Sequence, residues 1–249
     1  MKPTFTIDLN CDMGEGLPND AELMRYISSA NIACGYHAGD ETTMRKTIGL
    51  CVKNNVAIGA HPGFADKQNF GRAEKTLSTE ELYKLVLDQL HAIGKICSEQ
   101  SASLHHVKPH GALYNMAAKN KQMSNTIAQA VFDFNPNLIL YGLSESFLIS
   151  EAQNLGLKTA NEVFADRTYQ ADGSLTPRTQ KNALITDSKE SILQVLQMII
   201  ENSVTTVDQK TISIVPETLC IHGDGSHAVA LVKEIHTTLL QEGIQVKTI

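Results

Sequence analysis

Residues 4–16 read Thr-Phe-Thr-Ile-Asp-Leu-Asn-Cys-Asp-Met-Gly-Glu-Gly. Successive side chains of a β-strand point to opposite faces. Phe5, Ile7, Leu9 and Cys11 therefore share one face, while Asp8, Asn10 and Asp12 share the other. The same design recurs along the chain. Ile32 and Cys34 oppose Asn31, Ala33 and Gly35, with His37 just beyond. Val56 and Ile58 oppose Ala57, Gly59 and His61. Val107 and Pro109 oppose His106, Lys108 and His110, and Leu219 and Ile221 oppose Cys220, His222 and Asp224. Each strand offers an apolar face to a covering layer and a small or polar face that ends in an ionisable residue.

Strand-like runs fall at 4–10, 30–35, 56–60, 104–108, 138–142, 157–162 and 218–221. Helical patterns near 20–28, 41–54, 78–100, 121–133, 144–154 and 226–242 lie between them. The clearest opens with Ser78 and Glu81 in capping-box spacing and continues in the apolar stripe Leu82, Leu85, Val86, Leu90 and Ile93. Strands alternating with helices imply βαβ units and a parallel sheet, and about seven units favour a closed α/β barrel over an open doubly wound sheet. The stretch 182–216 is less regular. A short apolar run (183–186), an amphipathic helix (188–202) and a second run (211–215) read as an elaboration of the last unit, such as an added hairpin. No linker or low-complexity segment interrupts residues 1–249, so one barrel domain is expected.

Composition narrows the function. Hydrophobic residues make up 42% and charged residues 19%, enough to build a large core. A net charge of −6 does not suggest a nucleic-acid binder, which usually carries a basic face. No stretch approaches the roughly 18 apolar residues of a membrane helix. The N-terminus lacks an apolar signal core, and the five cysteines show no pairing pattern, so a reducing, cytoplasmic location is expected.

In a parallel barrel the strand tips converge on one mouth, where such barrels place their active sites. His37, His61, His110 and His222, with Asp12, Asp40 and Asp224, all fall at strand C-termini. Packing does not explain that concentration. Asp12 and Glu15 are candidates for a general base, and Glu15 is equally suited to capping a loop. His37 and Asp40 precede a helix, and Asp40 fits its N-cap as well as a catalytic role. Asn10 and Lys108 face the interior, and Lys108 is suited either to an anionic substrate or to an ion pair with a barrel aspartate. Asp12, His37 and His61 could together hold a divalent metal ion. Cys220 faces inward, where a nucleophilic thiol is the less favoured reading. Glu162 ends one strand and leads into a long loop carrying Asp166, Arg167 and Arg178. Either arginine could clamp a carboxylate or phosphate, or pair with a neighbouring acid at the surface. The stretch HGDGSH at 222–227 offers backbone N–H groups to an anion only weakly, and there is no phosphate-binding glycine signature elsewhere.

Seven segments taken together resemble the LamB/YcsF family: 8–16, 31–40, 59–66, 70–72, 107–115, 162–178 and 220–228. They occur in order over nearly the whole chain. One departure is Ala73, where the family tends to carry a second arginine after the Phe-Gly pair. The resemblance implies a distorted seven-stranded TIM-like barrel, similar to polysaccharide-deacetylase barrels. It also implies the A component of an ATP-dependent 5-oxoprolinase, an enzyme that converts 5-oxo-L-proline, ATP and water to L-glutamate, ADP and phosphate. Two partner subunits, B and C, are expected with it. On that reading Asp12 is the base, with Glu15 as second choice. His37, His61 and His110 position water, stabilise charge or hold a metal, and Asp40 stands beside them. Asn10, Lys108, Glu162, Arg167, Arg178, His222 and Asp224 bind substrate or its phosphoryl group. Two other readings stay open: a metal-dependent amidohydrolase or deacetylase acting without ATP, and a non-catalytic component that only binds the substrate.

Overall fold

The structure, a computed structural model, describes residues 5–222 and 228–249. The chain begins with β1 (Thr6–Met13), α1 (Asp20–Leu23), β2 (Ser29–Ala33), α2 (Glu41–Asn54) and β3 (Ala57–His61). A 3₁₀ turn at Lys67–Asn69 leads to α3 (Thr79–Glu99), β4 (Leu104–Val107), α4 (Gly111–Lys119) and α5 (Lys121–Phe134). Next come β5 (Ile139–Leu143), α6 (Phe147–Asn154), β6 (Lys158–Phe164) and α7 (Ser188–Glu201). The chain closes with β7 (Ser203–Thr205), β8 (Thr211–Ser213), β9 (Thr218–Cys220), α8 (Ala228–Gln241) and β10 (Gln245–Val246).

Seven strands form a closed parallel barrel in the order β1-β2-β3-β4-β5-β6-β9, and β9 returns to β1. Closure is carried by Asp8↔Thr218 and Asn10↔Cys220 on one side of β1, and by Asn10↔Ser29 and Asp12↔Asn31 on the other. The barrel expected from the alternating pattern is therefore present, with its seven units. The apolar faces point outward into the helical layer, where Ile7, Leu9, Cys11, Met13, Ile32 and Leu219 are fully buried. Each large aliphatic side chain removed from water contributes roughly 1.5–3 kcal/mol.

The barrel interior is polar. Near its base, Asp8 accepts from the hydroxyls of Ser28 (2.6 Å), Ser29 (2.7 Å), Thr218 (2.6 Å) and Tyr141 (3.0 Å). One layer up, the Asn10 amide donates to Thr218 and Glu162, and the Asn31 amide donates to Asn10 and to Asp12. His106 donates through Nε2 to Asn31 Oδ1 (2.8 Å). Its ring lies where a side chain on β3 would stand: a Cβ at Gly59 would come 2.0 Å from that nitrogen. A buried polar network rigidifies a barrel only if its members are satisfied. This one links one strand to the next by side-chain bonds.

Several elements differ from expectation. The first strand continues to Met13, because β2 pairs with its last four residues. The helix expected at 20–28 is one turn, since Ser28 N already bonds Leu9 O as β2 begins. Helix α4 has no counterpart in the sequence reading; its N-cap is His110, so the motif that reads as a strand end also starts a helix. The added hairpin is present as antiparallel β7–β8. The run 183–186 instead contributes one isolated bridge, Leu184 to Arg167. The short β10 pairs in parallel with the start of β1, at Thr6 and Ile7. Among the described residues, no helix is long and apolar enough to cross a membrane.

Candidate active site

The strand tips meet as the alternation implies, and they sort into two groups joined by Asp12. The inner group centres on Lys108. Its ammonium lies 3.0 Å from Asp12 Oδ1, 2.8 Å from Glu162 Oε1, 3.3 Å from Asn10 Oδ1 and 3.0 Å from Cys220 Sγ. Burial alone would pull this lysine down, but Asp12 and then Cys220 and Glu162 hold it well above the usual range. Burial alone would raise the Asp12 carboxyl, but His61, whenever its ring carries a second proton, and Lys108 hold it well below the usual carboxylate range. Asp12 is therefore a fixed anion, with Oδ1 taken by Asn31 and Lys108 and Oδ2 turned toward His61 Nε2 at 3.3 Å. Of the two roles the sequence leaves open for Lys108, substrate ligand or partner of a barrel aspartate, its contacts are those of the second: the ammonium pairs with Asp12, and with Glu162 as well. Burial pushes the Cys220 thiol well above its ordinary value, which keeps it protonated and removes the case for a thiolate nucleophile.

The outer group is a histidine cluster. His61 Nδ1 lies 2.7 Å from Lys108 O, and His110 Nε2 lies 2.9 Å from Phe70 O. Carbonyl oxygens only accept, so both nitrogens carry hydrogen, and in the neutral rings the opposite nitrogens present lone pairs. Those opposite nitrogens, His61 Nε2 and His110 Nδ1, face each other at 2.9 Å. His37 stacks on His110 with centroids 3.8 Å apart. Burial, reinforced by His61, brings His37 down to about 3, and burial holds His110 well below its usual value. Glu15 Oε1 approaches His37 Nε2 (3.5 Å) and His110 Nδ1 (3.6 Å).

The turn over this cluster is strained where it must be. Phe70 adopts a left-handed conformation (φ 55°), costly for an aromatic residue. That conformation turns its carbonyl to His110, while its ring meets His37 and His110 edge-on. Gly71 follows at φ +63°, and a Cβ there would stand 2.7 Å from the His37 Cβ.

The other sequence candidates separate. His222 donates through its backbone N–H to Asp166 (3.2 Å) and places Nδ1 2.9 Å from the same carboxylate, with a ring nitrogen within 4.8 Å of Asp12 and Cys220. Arg167, expected to clamp an anion, is buried, and its Nε and Nη2 donate to Ala183 O and Thr176 O, so it braces its own loop. Arg178 is exposed, and its charge acts on Asp166. Asp40, expected at the mouth, is exposed and caps α2 through Thr43 N and Oγ1. Asp224 and the rest of 223–227 lie outside the described residues. The expected metal trio of Asp12, His37 and His61 is regrouped: Glu15, His37, His61 and His110 bring ligand atoms within 4.8 Å of one another, and Asp12 instead groups with Cys220 and His222. Asn31, His106 and Phe70 have no role in the sequence reading, and Asp166 figures there only as an acid for a loop arginine, although their inward or turn positions are visible there.

Comparison with known proteins adds to this geometry. The sequence profile of the LamB/YcsF family matches residues 7–249. A Staphylococcus aureus (strain Newman) protein, named as the A subunit of 5-oxoprolinase, is 48% identical over 248 residues, spanning 98% of this chain and 99% of that protein. The lactam utilization protein of Thermus thermophilus superposes with a TM-score of 0.92 at 37% identity, covering 98% of this chain and all of that one. A family 4 carbohydrate esterase from Streptomyces lividans aligns over 98% of this chain and 93% of its own, with a TM-score of 0.55 at 11% identity. The last likeness concerns the barrel alone.

Proposed function

The chain belongs to the LamB/YcsF family, and from that premise we propose that its barrel mouth is the lactam-opening site of an ATP-dependent 5-oxoprolinase, of which it is the A component. The observation that carries this reading is the Asp12 carboxylate, fixed as an anion at the mouth by Lys108 and Asn31 and turned toward His61.

A five-membered lactam resists hydrolysis because its nitrogen lone pair is delocalised onto the carbonyl. Transfer of the γ-phosphoryl group of ATP to the lactam oxygen releases ADP and leaves an imidate phosphate, whose ring carbon is far more electrophilic than that of the amide. Water then adds at the ring carbon and gives up a proton toward the Asp12–His61 pair. The C–N bond breaks as the nitrogen takes a proton, and a second water releases phosphate from the acyl phosphate. The balance is 5-oxo-L-proline, ATP and two waters to L-glutamate, ADP and phosphate. Within that pair the proton goes to Asp12 Oδ2, the carboxylate oxygen not taken by Asn31 and Lys108, while His61 positions the water and keeps the lone pair on Nε2. Of the two loop arginines, Arg178 suits the substrate carboxylate, since the Arg167 donors brace the loop. ATP and the B and C subunits enter at the level of the assembled enzyme.

The test is reconstitution. Glutamate formation from 5-oxo-L-proline and ATP is measured with the two partner subunits, with and without this chain. The reading requires activity only when the chain is present. A second reading, hydrolysis of an amide or acetyl group without ATP, is favoured by the histidine cluster; turnover by the chain alone in the absence of ATP would select it.

A further inference from the structure

We propose that Glu15, His37, His61 and His110 bind one divalent transition-metal ion at the barrel mouth. The argument is independent of the identity of the substrate.

Lone pairs in a protein interior are arranged to meet hydrogens or cations, not each other. Here three converge with their orientations fixed from behind. His61 Nε2 and His110 Nδ1 are 2.9 Å apart, and each ring is held in its tautomer by a backbone carbonyl on its other nitrogen. Asp12 Oδ2 adds a third acceptor, 3.3 Å from His61 Nε2. Holding a ligand histidine by its distal N–H is the usual outer support of a metal site. His37 completes the case. It is 1% exposed, and among the described residues neither of its nitrogens has a hydrogen-bond partner, yet its ring lies flat on His110 with Nε2 3.5 Å from Glu15. A buried imidazole whose two nitrogens meet no partner is costly unless it serves a ligand.

Size and charge agree. Ligands about 2.1 Å from a common ion stand roughly 3–4 Å from one another, and the four ligand atoms here lie within 4.8 Å of one another. Inside the mouth Asp12 and Glu162 share the buried ammonium of Lys108 and Glu15 lies against His37 and His110, while Lys67 and Arg72 are exposed at the rim. Three imidazoles and one carboxylate select zinc, iron, cobalt or manganese over magnesium and calcium, which prefer oxygen. Once bound, such an ion supplies a Lewis acid beside Asp12. The competing way to reconcile the facing nitrogens is a single proton shared by His61 and His110, and the two differ in what they bind.

The full-length chain, dialysed against a chelator, is titrated with Co²⁺ and followed by its visible absorption. The proposal requires saturation at one ion per chain, with the intense visible bands of histidine-bound cobalt and a raised melting temperature. His37→Gln, which removes no hydrogen bond within the described chain, lowers cobalt affinity by roughly 10–100-fold, and His110→Gln does the same. Circular dichroism of the metal-free variants checks that the barrel persists. No saturable cobalt band on the wild-type chain would overturn the proposal in favour of the shared proton. Equal affinity in wild type and both variants would overturn it by placing the ion elsewhere.

Discussion

Nε2 of His61 and Nδ1 of His110 stand 2.9 Å apart, and the opposite nitrogen of each ring is tied to a backbone carbonyl, Lys108 O for one and Phe70 O for the other. The pair therefore cannot rearrange by flipping tautomers. Whatever charge it holds is shared, and Asp12 is 3.3 Å from it. This is how a sequence with no compact metal or catalytic motif builds an acid–base centre: strands β3 and β4 each deliver one histidine tip, and β1 delivers the carboxylate.

Acid should destabilise the metal-free chain in a defined window. His37 is depressed to about 3 in the fold, against about 6.5 when unfolded. Between those values the unfolded chain binds a proton that the folded chain does not. Its contribution is thus complete above about pH 6.5 and is lost as pH falls toward the folded value. Asp12, also depressed on folding, adds a second loss below the unfolded carboxylate value of about 3.9. Urea midpoints from pH 7.5 to 4.5 should fall continuously, and His37→Gln should flatten the slope by close to one proton. An unchanged slope in that variant would show that His37 is not held neutral by the fold.

Lys108→Met should be among the most damaging single changes. It leaves Asp12 and Glu162 buried without their cation, and breaking a buried pair from one side costs about 3–5 kcal/mol. Denaturant unfolding reads this directly. A loss below about 1 kcal/mol, the range of exposed ion pairs, would mean that the inner carboxylates find other compensation.

Asp40→Ala separates two roles that the sequence leaves open. As the N-cap of α2, Asp40 stabilises the helix start by accepting from Thr43, and its exposed position puts it outside the chemistry. The melting temperature should fall while turnover in the assembled enzyme stays unchanged. A large drop in turnover at intact stability would return Asp40 to the active site.

Gly71→Ala forces a side chain into a left-handed position and against His37, where its Cβ would lie 2.7 Å from the His37 Cβ. A strained residue of this kind costs on the order of 1–3 kcal/mol. Displacing the histidine stack by about 1 Å should lower turnover by roughly 10²-fold. Wild-type turnover in this variant would show that the stack has no part in the reaction.

The periodic features are legible in the sequence. Alternation in 4–12, 56–61 and 104–110 places Asp12, His61, Lys108 and His110 on the inward face, and that placement implies the barrel and its mouth. What escapes is set by tertiary contacts. The sequence shows Lys108 at a strand tip, but not that Asp12 and Glu162 from distant strands share its ammonium. Arg167 reads as an anion clamp, because the loop carbonyls of Ala183 and Thr176 that take its donors have no sequence signature. Helix α4 is hidden because His110 both ends a strand-like run and caps the helix. His106 visibly faces inward, but only the cleared space at Gly59 explains how its ring crosses to Asn31.

The most direct test of the central claim is the turnover of the Asp12→Asn variant in the assembled enzyme with its two partner subunits, read as glutamate formed from 5-oxo-L-proline and ATP. The barrel mouth as lactam-opening site predicts a loss of at least about 10²-fold, as expected for a missing acid–base group, with the complex still assembled and the variant folded. Turnover within about twofold of wild type, far short of that acid–base contribution, would contradict it and move the chemistry away from this mouth.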